Sequence, residues 1–93
     1  MSQVAPTTTD PHQIRERVRH YILENLMFSD DPSQLPDDAS LLDRSIIDST
    51  GVLEVVMFIE ESFGVKVRDS ELLPENFDSV ARIADFIARL RSA

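Results

Sequence analysis

The sequence predicts an all-α fold, a small bundle of three main helices plus one short helix. Apolar residues recur at helical spacing in three separate segments, each opened by a residue suited to cap a helix. Beyond one brief extended piece after Gly64 the sequence shows no sheet, and no internal repeat is present. The longest stretch without a period carries two prolines and five Asp residues ahead of Asp48, which marks a loop. At 93 residues the chain suits one modest core. Residues 1–9 are expected to form a disordered tail, and residues 10–91 the domain.

The first helix starts at Asp10-Pro11-His12-Gln13, with Asp as N-cap, Pro at the first helical position and Gln placed for a capping box. Ile14, Val18, Tyr21, Ile22 and Met27 carry it to about Met27, with Arg15, Arg17, Arg19 and Glu24 on its wetter sides. In the loop that follows, Leu35, Leu41, Leu42, Ile46 and Ile47 are expected to tether the chain to the core, with a helical turn after Ser40. A loop of this length inside a small domain is usually functional or locally structured. The second helix runs from about Ser49 to Phe63 and stops at Gly64. A brief extended piece and a short helix near Pro74 to Phe77 come next. Asp78 or Ser79 then caps the last helix, whose inner face holds Val80, Ile83, Ala84, Ile87 and Leu90.

Composition excludes several classes of function. Without Cys there is no disulfide, thiolate metal site or thiol nucleophile. A formal net charge of −8, from 17 acids against 9 bases, argues against nucleic acid and anionic membranes and favours basic protein partners. The richest apolar run is broken by Glu54, Glu60 and Glu61, so it falls short of the roughly 18 residues a membrane span needs. The opening MSQVAPTTT has neither a basic leader nor an apolar core, and a cytoplasmic monomer is the expectation. Arg44 is the only base between Asp30 and Glu61, so this half of the chain is expected to repel itself.

The second helix, within IIDSTGVLEVVMFIEESFG, has two apolar surfaces when residues are placed at about 100° per position. Val52, Val55, Val56, Ile59 and Phe63 make one coherent face, the expected core. Leu53 and Met57 stand apart among Glu54 and Glu61, which suits an anchor for a partner protein. Scattered apolar surface residues are the plainer reading. Ser49 is likewise an ordinary N-cap candidate, but no Glu or Gln stands three residues after it. Gly51 costs about 1 kcal/mol against Ala inside a helix, which makes sense if something approaches the backbone closely there. A helix N-terminus also suits a phosphate.

LLDRSIIDSTGVLEVVMFIEESFGVKV, residues 41–67, resembles the attachment region of acyl carrier proteins. The likeness extends from about Asp10 to Leu90 in helix order and loop length. It implies a carrier, not an enzyme, with 4'-phosphopantetheine from CoA held on Ser49 as a phosphodiester. It implies that Asp48 assists recognition by a phosphopantetheinyl transferase. Leu53, Glu54, Met57 and Glu61 would then dock the acyl- or aminoacyl-activating and transferring enzymes. Thr50 stands where Leu is usual, and Ile46-Ile47 where a Gly often sits. The Ile-Asp-Ser-Thr-Gly form is closer to freestanding carriers similar to the D-alanyl carrier of teichoic acid modification. The implied cargo is accordingly fatty acyl, short acyl or aminoacyl.

Rival readings fare worse. Asp43, Ser45 and Glu54 match EF-hand positions one, three and twelve, but Ile47 fills position five and Asp48 replaces the required glycine. Ile47 also replaces the first Gly of a G-x-S-x-G elbow, and His12 and His20 read as surface residues. The alternative from another class is an acidic helical adaptor that binds one protein partner without a cofactor.

Overall fold

The computed structural model describes residues 10–92, and the tail expected over 1–9 lies outside the described residues. Its three helices are α1 (Pro11–Ile22), α2 (Ser49–Phe63) and α3 (Val80–Ser92), with no strand among the described residues. The backbone N–H of His12 donates to the Asp10 carboxylate at 2.9 Å, and Pro11 occupies the first turn. The helical path does continue to Met27, but Leu23–Met27 widen into a π turn. It closes at Phe28, whose φ of 54° puts a bulky residue in the left-handed region. That conformation costs roughly 1–2 kcal/mol and turns the Phe28 ring outward, 85% exposed.

Each helix contributes one stripe to a common core. α1 buries Ile14, Val18 and Ile22, with Leu23 just beyond; α2 buries Gly51, Val55, Ile59 and Phe63; α3 buries Val80, Ile83, Ala84, Phe86 and Ile87. The inner face of α2 is narrower than its periodicity predicts, because Val52 and Val56 are only half-buried. Leu90 is half-buried too, while Phe86 enters the core and meets the buried Phe77 edge-on, with centroids 5.3 Å apart. Between α2 and α3 the single expected short helix is two 3-10 turns, Asp69–Glu71 and Pro74–Asn76.

The long loop is fastened to both neighbouring helices. Leu35, Leu41 and Ile47 are buried, Ile46 is half-buried, and Leu42 faces solvent, contrary to its expected role as a tether. A turn does form after Ser40, whose carbonyl accepts from Arg44 N–H at 3.2 Å. Ser79 caps α3 by accepting from Arg82 N–H at 3.1 Å. This leaves the Asp78 carboxylate to accept from Ser40 Oγ at 2.6 Å and Leu42 N–H at 3.2 Å. On the α1 side, Arg19 Nε donates to the Leu35 carbonyl at 2.9 Å, and both Arg15 and Arg19 pair with Asp37. The repulsion expected of this acidic segment is therefore offset at Asp37 by two bases that sequence distance had hidden.

Arg19 holds the loop through a side chain only 12% exposed. Truncating one partner of such a bonded charge is worth about 1–3 kcal/mol, so Arg19→Ala should lower stability by that amount. Arg82→Ala, at an exposed position on α3, should stay within about 0.5 kcal/mol. Urea unfolding of the two variants checks this, and equal midpoints would remove Arg19 from the fastening.

Candidate functional site

The chain enters α2 through a tight turn. The Leu41 carbonyl accepts from Ile46 N–H at 2.9 Å and from Ile47 N–H at 3.3 Å, and Ser45 adopts φ 58°. Ile47 then points inward, 3% exposed. Asp48 is extended, and its carboxylate accepts from Gly51 N–H at 2.8 Å. Asp48 is thus the N-cap, and Ser49 is the first helical residue.

This division of labour frees Ser49. Its side chain is exposed and makes no hydrogen bond among the described residues, and the N–H groups of Ser49 and Thr50 lack a protein acceptor. These donors sit at the positive end of a 15-residue helix. The close approach that Gly51 suggests comes from within the protein. A Cβ built on Gly51 would stand 3.1 Å from Ile47 Cγ1 and 3.4 Å from Asp48 Oδ1. An exposed hydroxyl beside unpaired donors suits a covalently attached anion. Neither histidine bonds Ser49: His12 is exposed at the start of α1, and His20 Nε2 faces Glu24 at 3.1 Å.

Further along α2, Leu53 and Met57 are 55% and 60% exposed, and Glu54 and Glu61 share the outer surface. One flank of this surface is pinned to α1. The Tyr21 hydroxyl donates to the Glu54 carbonyl at 3.2 Å, and its ring stacks on Phe58 with centroids 4.2 Å apart. Phe58 in turn meets Phe63 edge-on at 5.9 Å. Burial first, and then the carboxylates of Glu54 and Glu61, push the Tyr21 hydroxyl above the usual tyrosine range, so it stays a donor. Sequence periodicity placed Tyr21 with the inner stripe and missed this clasp. Its signal was Phe58, which belongs to neither apolar face of α2.

The twelve residues from Asp43 to Glu54 form no cation loop. Asp48 is engaged as a cap, Asp43 N–H donates to Ser40 Oγ at 3.1 Å, and no group of metal-binding side chains occurs among the described residues. No helix of the described residues is long and apolar enough to cross a membrane.

No family model matches the chain. Curated relatives do. D-alanyl carrier proteins of Streptococcus pyogenes serotype M5 (strain Manfredo), serotype M49 (strain NZ131) and serotype M1 are each 30% identical to it over 67 residues. The match covers 72% of this chain and 84% of each relative.

Two substitutions test how the site is built. Ala is a better helix former than Gly by about 1 kcal/mol, yet Gly51→Ala should destabilise, because buried Ile47 has little room to yield. A raised melting temperature would show that Ile47 moves aside. Asp48→Ala should cost about 0.5–2 kcal/mol as a lost cap, and Asp48→Asn much less.

Proposed function

The chain belongs to the family of carrier proteins that includes these D-alanyl carriers, and from that membership we propose that Ser49 carries a 4'-phosphopantetheine arm derived from CoA. The observation that carries this reading is the free, exposed Ser49 hydroxyl beside a neighbour that takes over the capping. The residues present fit the group: the unpaired N–H donors of Ser49 and Thr50 and the helix dipole favour a phosphodiester at Ser49 Oγ. When attached, the arm supplies a thiol that holds acyl or aminoacyl cargo as a thioester. The chain itself performs no chemistry on the cargo. α2 fixes the attachment point, and tethering raises the cargo's effective concentration at each partner's active site.

Asp48 then has two duties, as the cap of α2 and as a carboxylate next to Ser49 for the phosphopantetheinyl transferase to recognise. Leu53 and Met57 supply the apolar anchors for acyl- or aminoacyl-activating and transferring enzymes, with Glu54 and Glu61 steering basic surfaces toward them. The aminoacyl form follows the D-alanyl relatives and the Ile-Asp-Ser-Thr-Gly motif. The exposed pair also fits an acidic helical adaptor, which needs no arm.

Intact mass after incubation with CoA and a permissive transferase separates the two readings. The carrier reading expects one added phosphopantetheine on the wild type and none on a folded Ser49→Ala variant. Labelling at another serine, or none on the wild type, would sink it. Leu53→Ala and Met57→Ala should slow loading by partner enzymes by about tenfold, as anchor truncations do, with stability within about 0.5 kcal/mol. Ile59→Ala, in the core, should instead destabilise by about 2–5 kcal/mol. If Met57→Ala unfolds the protein, the outer face of α2 has been misassigned.

A further inference from the structure

The other end of α2 carries a feature the carrier reading does not use. Between Phe63 and Leu90 lies an open cleft of about 490 Å³, bordered by Lys66, Arg68, Arg91 and Glu71. Its floor is apolar, from buried Phe63 and half-buried Val65 and Leu90. The Arg17 guanidinium stands 4.8 Å over the Phe63 ring. In a chain of net charge −8 this is a concentration of cations. Three basic side chains line the cleft against one acid, Glu71, so its lining is net positive. Glu60 accepts from Val67 N–H at 3.0 Å, and Glu71 from Arg68 N–H at 2.9 Å.

The backbone of this border is open as well. After Gly64, Val65 and Val67 are half-buried while Lys66 and Arg68 are exposed, the period-two alternation of an extended strand. The N–H and C=O groups of Val65 and Lys66 make no hydrogen bond among the described residues. Unpaired extended backbone is a template for another extended chain. A lone phosphate would use the cations and leave both the apolar floor and the peptide groups unanswered.

We propose that this cleft docks an extended, acidic segment of a partner protein. Its carboxylates meet Lys66, Arg68 and Arg91, its apolar side chains meet the floor, and its backbone pairs with Val65 and Lys66. The site is remote from Ser49, since the 15 residues of α2 separate them by about 20 Å. Docking there is independent of whether Ser49 is modified.

The probe is a short synthetic peptide alternating Glu and Val, titrated to about 1 mM into the isotope-labelled chain and followed by amide NMR shifts. Shifts should appear at 64–68 and near Leu90, and leave Ser49 and Thr50 unmoved. The exposed double variant Lys66→Glu/Arg68→Glu should keep its melting temperature and bind at least about tenfold more weakly. Lys66→Arg/Arg68→Lys, which keeps the charges, should bind as the wild type does. Binding should also weaken as NaCl rises. The proposal is overturned if no amide in the cleft shifts, if a Lys/Val peptide binds equally well, or if inorganic phosphate alone reproduces the shifts. Equal binding by the charge-reversed variant would overturn it too.

Discussion

Ile47 is wedged beneath the first turn of α2, in space that only a glycine at position 51 leaves open. The rest of the site depends on that contact. With Ile47 turned inward, Asp48 is held extended where its carboxylate reaches Gly51 N–H, so the residue before the helix becomes its cap. Once Asp48 caps the helix, Ser49 has no structural bond to keep and stands in solvent at the positive end of the dipole. A side chain at position 51 would press on Ile47 and on the capping carboxylate together. The apparent helix weakness of glycine is thus the condition for a well-formed cap and a free hydroxyl.

The same economy governs charge. Read along the chain, the segment from Asp30 to Asp48 is a run of acids with one base. In space, Arg15 and Arg19 reach across from α1 to Asp37, and Asp78 is engaged by Ser40 and the Leu42 N–H. These contacts hold a long loop that buries only Leu35, Ala39, Leu41 and Ile47. Polar fastening supplements that thin apolar anchorage. The acids left outward on α2, Glu54 and Glu61, flank the exposed Leu53 and Met57 rather than any structural partner.

Sequence legibility followed the range of the interaction. Helix starts and stops are local, and Asp10, Pro11 and Gly64 signalled them correctly. The outward placement of Leu53 and Met57 was legible because helical periodicity is also local. The choice of cap was not, since Asp48 and Ser49 are both good caps and only the burial of Ile47 decides between them. The π turn at Leu23–Met27 has no propensity signature and depends on where the loop must leave α1. Val52 and Val56 look like core by period, but the width of a buried stripe is set by the neighbouring helices. The Arg19–Leu35 and Arg15–Asp37 contacts join residues far apart in the chain, which no local pattern encodes.

The molecule therefore has two unlike ends joined by one rigid helix. At the start of α2, backbone donors and a free hydroxyl face solvent above an acidic surface that exposes Leu53 and Met57. At its end, Lys66, Arg68 and Arg91 border a cleft partly lined by Phe63, Val65 and Leu90, beside unpaired peptide groups. If both proposed sites are used, partners of opposite charge pattern would be attracted to the two ends, and a helix of fixed length would set the spacing between them. A protein engaging both would have the direction of α2, and with it the exit direction of anything attached to Ser49, determined by contact rather than by chance. For a carrier whose cargo must enter an active site in one orientation, fixing that direction reduces the orientational freedom lost at each transfer. The acidic face alone, a single helix surface, would leave rotation about Leu53 and Met57 less constrained, so a second contact at the cleft would add orientation to recognition.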